Sequence, residues 1–113
     1  MIIPKSVEAS LCIIDVLKRC DVEFAPAVKI LEHVDNTSKC MCDTMLYRLA
    51  QAGILDSKKG PTGGYRFIKE TTLLELFLLN APTCVLRKPS CNEEVNALQG
   101  RFLKQLNDIV IQP

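Results

Sequence analysis

The stretch Ile54-Leu55-Asp56-Ser57-Lys58-Lys59-Gly60-Pro61-Thr62-Gly63-Gly64-Tyr65-Arg66-Phe67-Ile68-Lys69 decides how the rest of the chain is read. Ile54–Lys59 reads as one strand, and Tyr65–Lys69 alternates as a second. Between them, Gly60-Pro61-Thr62-Gly63-Gly64 holds the residues a tight turn needs, because glycine reaches positive φ without a Cβ in the way. The pattern predicts a glycine-tipped β-hairpin.

Upstream, Met41, Met45, Leu46 and Leu49 recur at helical spacing, and Gly53 is placed to stop that helix. The polar cluster Asp35-Asn36-Thr37-Ser38 supplies the turn and the N-cap before it. Pro26 suits the first turn of a preceding helix, with Val28, Leu31 and Val34 as its apolar stripe. Asp21 to Phe24 reads as a connection. Ser6 is the expected cap of a first helix that carries Val7, Leu11, Ile14 and Leu17 to about Arg19. Two helices joined by a short polar turn, the second ending in glycine, predict a helix-turn-helix. A hairpin directly after it is a wing.

Downstream, Thr72 with Glu75 forms a capping box that opens a helix through about Asn80. Pro82 to Asn92 reads as a loop holding Cys84 and Cys91. From about Glu93 a final helix runs through Val95, Leu98, Phe102, Leu106 and Ile109. Its apolar stripe lies beyond the compact unit, so packing against a second copy is its expected fate. The expected fold is mainly α with a small β-hairpin. A winged helix-turn-helix spans residues 1–81, and a cysteine loop with a long dimerisation helix spans 82–113. No internal repeat or low-complexity segment is found.

A chain of 113 residues fits one domain, and a fold of this size gains from pairing with a second copy. With 48% apolar and 24% charged residues it is too apolar for disorder. The net charge of +1 means that any nucleic-acid footprint is local rather than global. The start, Met1 to Ser6, lacks the basic region and long apolar stretch of a signal peptide. The apolar run Leu73 to Leu79 is broken by Glu75 and is far too short to span a bilayer. The expectation is a cytoplasmic protein with no membrane partner. Thiols stay reduced there, so the six cysteines read as core fillers, metal ligands or redox sensors rather than structural disulfides. An enzyme is not expected: the single histidine has no serine or cysteine partner in a nucleophile motif, and no phosphate loop is present.

The helix before the hairpin would present Ser38, Lys39, Cys40, Asp43 and Thr44 near its N-terminus, where such helices meet base edges, with Arg48 further along. Lys58, Lys59 and Arg66 flank the hairpin, whose tip and return are Thr62, Gly63, Gly64 and Tyr65. Its glycines would allow close approach to a phosphate backbone. The alternative is that these lysines form only a solvated face. Cys40 and Cys42 point to nearly opposite sides of their helix and are not a shared metal pair. Cys84 and Cys91 flank Arg87 and Lys88, whose charge favours thiolate, the form that binds metal or reacts with oxidants.

The segments Leu49-Ala50-Gln51-Ala52-Gly53-Ile54-Leu55 and Ser57-Lys58-Lys59-Gly60-Pro61-Thr62-Gly63-Gly64-Tyr65 resemble the signature of the IscR/NsrR/CymR-type family of bacterial regulators. The resemblance runs from Ser6 to about Ile111, with the elements in the same order. It implies a winged helix with a long C-terminal dimerisation helix and sequence-specific binding of a double-stranded DNA operator as a homodimer. It also places Ser38, Asp43 and Thr44 where family members touch bases or phosphates, and Lys59 where a basic residue enters the groove beside the wing.

Many members hold an iron–sulfur cluster with three cysteines before the last helix, whereas this chain has two there. A [2Fe–2S] centre needs four ligands. Glu8 and His33 stand at places matching a redox-sensing subgroup that uses two cysteines, one glutamate and one histidine, shared across the dimer. That subgroup's cysteines lie further apart than Cys84 and Cys91 do. The resemblance therefore implies a [2Fe–2S] ligand set of Glu8, His33, Cys84 and Cys91, and a regulator that senses redox or iron–sulfur status. Glu8 is also explained by the dipole of its helix, and His33 by a place at a helix end. Two alternatives stay open: a cluster-free regulator switched by a Cys84–Cys91 disulfide or by a partner protein, and a protein-binding module or antirepressor without DNA affinity.

Overall fold

The computed structural model describes residues 3–34, 37–81 and 92–113. The chain divides into two compact units at Lys69 and Glu70, with Pro113 grouped with the first. The first unit holds α1 (Lys5–Arg19), α2 (Ala27–His33), α3 (Lys39–Gln51), β1 (Leu55–Lys58) and β2 (Gly64–Phe67). The second holds β3 (Thr71–Thr72), α4 (Leu73–Asn80), α5 (Glu93–Asp108) and β4 (Val110–Ile111).

In the first unit α1 starts one residue after Pro4, so Ser6 lies inside the first turn rather than at the cap. Proline lacks an N–H, and its fixed φ leads directly into a helix. Val7, Ile13 and Ile14 are buried, while Leu11 and Leu17 are only half-buried. The seven-residue α2 corrects a second expectation. Its core face is Ile30 and Val34, four apart, and Val28 is 68% exposed. Residues two apart on a helix lie nearly opposite, so a stripe begun at Val28 falls on the wrong side. α3 follows the sequence closely: the Ser38 hydroxyl accepts from the Met41 N–H at 3.1 Å, and Cys42, Met45, Leu46 and Leu49 form its buried face. Gly53 ends it at φ 79°, where a side chain would be strained.

These faces meet around Ile13, Ile30, Leu46, Leu49 and Ile54, all fully buried. Truncating one such residue to alanine typically costs about 2–5 kcal/mol. The hairpin pairs antiparallel, with Leu55 opposite Phe67 and Lys58 opposite Gly64. It also has a third strand-like partner. Ala25 donates to the Tyr65 carbonyl and accepts from the Tyr65 N–H, both at 2.9 Å. The connection after α1 therefore runs into an edge pairing of the wing.

In the second unit, Thr72 caps α4 by accepting from the Glu75 N–H at 3.2 Å. The return half of the capping box is rerouted, because the Glu75 carboxylate accepts from the Thr71 hydroxyl at 3.0 Å. Asn92 caps α5 by accepting from the Glu94 and Val95 N–H groups. Phe77 of α4 meets Phe102 of α5 edge-on at 6.2 Å, beside buried Leu73, Leu76 and Leu106. β3 pairs antiparallel with β4, Thr71 opposite Ile111 and Thr72 opposite Val110. The sequence-based division after residue 81 thus differs from the division at Lys69, since α4 packs with α5 and β3 with β4.

Candidate nucleic-acid interface

Along α3 the residues Lys39, Cys40, Asp43, Tyr47 and Gln51 are exposed, a strip opposite the buried face. Thr44 and Arg48 are half-buried at its margin. The Thr44 hydroxyl donates to the Cys40 carbonyl at 2.8 Å, which leaves its oxygen lone pairs outward as acceptors. The Ser38 hydroxyl is taken up in part by the helix cap. Tyr47 and Gln51 were not among the sequence-derived candidates. Tyr47 is 60% exposed, and its phenol oxygen accepts from the Gln51 amide at 2.7 Å. The signal for it was its place on α3: it continues the polar strip four residues after Asp43 and falls outside the apolar stripe.

The two thiols of α3 face different surroundings. Cys40 is exposed, whereas Cys42 is fully buried. Burial pushes the Cys42 thiol up from its ordinary value, and the neighbouring Asp43 carboxylate adds to this.

On the wing Lys58, Lys59 and Thr62 are exposed, and Gly63, Gly64 and Tyr65 half-buried. Gly60 takes φ 110° and its carbonyl accepts from the Gly63 N–H at 3.0 Å, which closes the tip. The last two glycines each make a close approach within the protein. A β-carbon on Gly63 would run into the Lys58 carbonyl, and one on Gly64, at φ 155°, into the backbone of Ala25. The space they leave is occupied by the protein's own backbone.

Phe24, in the segment after α1, is the feature sequence reasoning missed. The Lys58 ammonium lies 5.7 Å and the Arg66 guanidinium 5.1 Å from its ring centre. Arg66 also pairs with Glu23 at 3.3 Å. Cation–π contacts of this kind contribute about 0.5–1 kcal/mol at exposed sites. An aromatic between two helices carries no periodicity that would announce such a role.

His33, the last residue of α2, lines a hollow of about 440 Å³ with Asp15, Val16, Arg19, Cys20 and Asp21. Glu8 is not among those residues, and it lies about 10 Å of helix rise before Asp15 on α1. Among the described residues no three His, Cys, Asp or Glu side chains are grouped to hold a metal ion. Cys84 and Cys91 lie outside the described residues. Glu8 therefore does not line the hollow that holds His33, and the described residues alone do not supply the four ligands of a cluster. No helix among the described residues is long and apolar enough to cross a membrane.

The architecture is that of a winged helix-turn-helix, and solved structures share it over nearly the whole chain. CymR, the global cysteine regulator of B. subtilis, matches with a TM-score of 0.78 at 16% identity, covering 97% of this chain and 92% of that one. IscR of T. potens matches at 0.75 with 15% identity, over 97% and 82% of the two chains. The oxidized form of Staphylococcus aureus CymR matches at 0.74 with 17% identity, over 97% and 92%. These structures therefore share the mainly helical, hairpin-bearing winged-helix architecture that the sequence resemblance implied. No protein-family model and no curated protein sequence matches the chain.

Proposed function

We propose that the chain is a sequence-specific DNA-binding transcription regulator of the IscR/NsrR/CymR type, working as a homodimer in the bacterial cytoplasm. One observation carries the reading: a helix with an exposed polar strip is followed directly by a hairpin whose Lys58 is held on Phe24. In this reading the strip of Lys39, Cys40, Asp43, Thr44 and Tyr47 enters the major groove, where a carboxylate such as Asp43 accepts from a cytosine amine. Lys58 and Lys59 meet phosphates, which positions the helix without reading sequence. Val95 and Leu98 on α5, 44% and 61% exposed, pack against the second copy and set the spacing of the two half-sites.

Lys58→Glu with Lys59→Glu tests this. The pair should abolish a salt-dependent mobility shift, and an unaffected shift would remove the wing from the interface. A wild-type protein without DNA affinity would instead favour the antirepressor reading.

The [2Fe–2S] form of the proposal assigns Glu8, His33, Cys84 and Cys91 as ligands. The DNA-binding function proposed here does not depend on a cluster. A Cys84–Cys91 thiol switch or a protein partner serves the same fold without a cluster. Anaerobic purification with iron and sulfide counts separates the two forms, and a stoichiometric cluster would restore the metal-sensing one.

A further inference from the structure

A hollow of about 460 Å³ opens beside the wing, lined by Phe24, Lys29, Lys58, Pro61, Thr62 and Gly63. Two stretches far apart in sequence meet there: the turn before α2 with α2 itself, and the hairpin. Its charge balance is positive. Glu23, the acidic side chain on its edge, is paired with Arg66 at 3.3 Å. Lys29 and Lys58 are in no ion pair among the described residues, and Lys58 is steered by the Phe24 ring. The exposed Thr62 adds a hydroxyl donor. Two ammonium groups and a hydroxyl in one concave place suit a phosphodiester group.

We infer that this hollow seats a phosphate of the DNA backbone, with Lys29 on α2 and Lys58 on the wing acting together as its cations. This rests on the DNA-binding reading and deepens it, adding a residue outside both the recognition helix and the hairpin. Phosphate contacts weaken binding to all sequences alike when lost, and each contributes a share of the salt dependence. The two lysines should also be coupled, because they hold one group.

The test uses the full-length protein and a mixed-sequence DNA duplex titrated over a range of potassium chloride. Wild type is compared with Lys29→Gln, Lys58→Gln, the double variant, and Lys104→Gln as a control on α5. Lys29→Gln should weaken binding severalfold and lower the slope of log K against log salt by up to about 0.9, the value for one phosphate. The double variant should lose less than the sum of the two single losses. Lys29→Gln with an unchanged slope, while Lys58→Gln lowers it, overturns the inference and leaves the DNA reading standing. Additive losses overturn the shared phosphate. No salt-dependent affinity in the wild type overturns both.

Discussion

Gly64 passes so close to Ala25 that a β-carbon on the glycine would fall on the Ala25 carbonyl group. The contact sits beside the two hydrogen bonds by which Ala25 and Tyr65 are paired, each 2.9 Å long. The wing is thereby tied to the segment between α1 and α2, the same segment that supplies Phe24 to Lys58 and Arg66. A glycine that reads as a concession to the ligand is a fastening inside the protein.

Gly64→Ala is expected to destabilise the first unit more than Gly60→Ala. Both positions have positive φ, which costs about 1–3 kcal/mol for a side chain. Gly60 has open space around its missing Cβ, whereas Gly64 must also push Ala25 away. Thermal melts of the two variants check this, and equal losses would mean that backbone strain alone decides.

Phe24→Leu should weaken DNA binding severalfold while leaving the salt slope unchanged. All the charges remain, but Lys58 and Arg66 lose the ring that steers them. A fall in slope would point to lost phosphate contacts instead.

Cys40 and Cys42 should separate cleanly in a native alkylation experiment. Exposed Cys40 is open to reagent in the folded protein, and buried Cys42 reacts only on unfolding. The raised Cys42 thiol also has a linkage consequence. Above the ordinary thiol value of 9.0 the unfolded chain loses a proton that the folded one keeps, so stability falls as pH rises through that range and is level below it. Comparing urea midpoints of wild type and Cys42→Ala across that range isolates the contribution, which the variant should lack.

Leu98→Glu tests the dimer. Leu98 is 61% exposed on α5, so in a monomer the change would be nearly neutral. Across a two-fold interface it sets carboxylates in an apolar contact, and sedimentation should show the dimer shifting to monomer.

Thr72→Ala should cost about 0.5–2 kcal/mol by removing the α4 cap. Glu75→Gln should cost less, because the carboxylate serves Thr71 and not the cap residue's own N–H.

The long periodic elements were legible without coordinates. The Ser38 cap, the buried face through Met45, Leu46 and Leu49, the Gly53 stop and the hairpin strands follow from neighbours at most a few residues apart. Shorter elements were not. In α2, seven residues allow two phases of the apolar stripe, and only packing against α1 and α3 chose Ile30 over Val28. The dipeptide Val110-Ile111 has no pattern to read, and it became a strand because Thr71 and Thr72 offered an edge.

By itself, then, the order of apolar, capping and glycine residues determined that this chain makes helices with a hairpin after the third, since those are local choices of backbone conformation. Tertiary structure alone decided which side chains meet across sequence: Phe24 beneath Lys58, and Gly64 against Ala25. Such meetings depend on how faces of separate elements are turned toward one another. That is settled by burying the shared core, and no single stretch of residues encodes it.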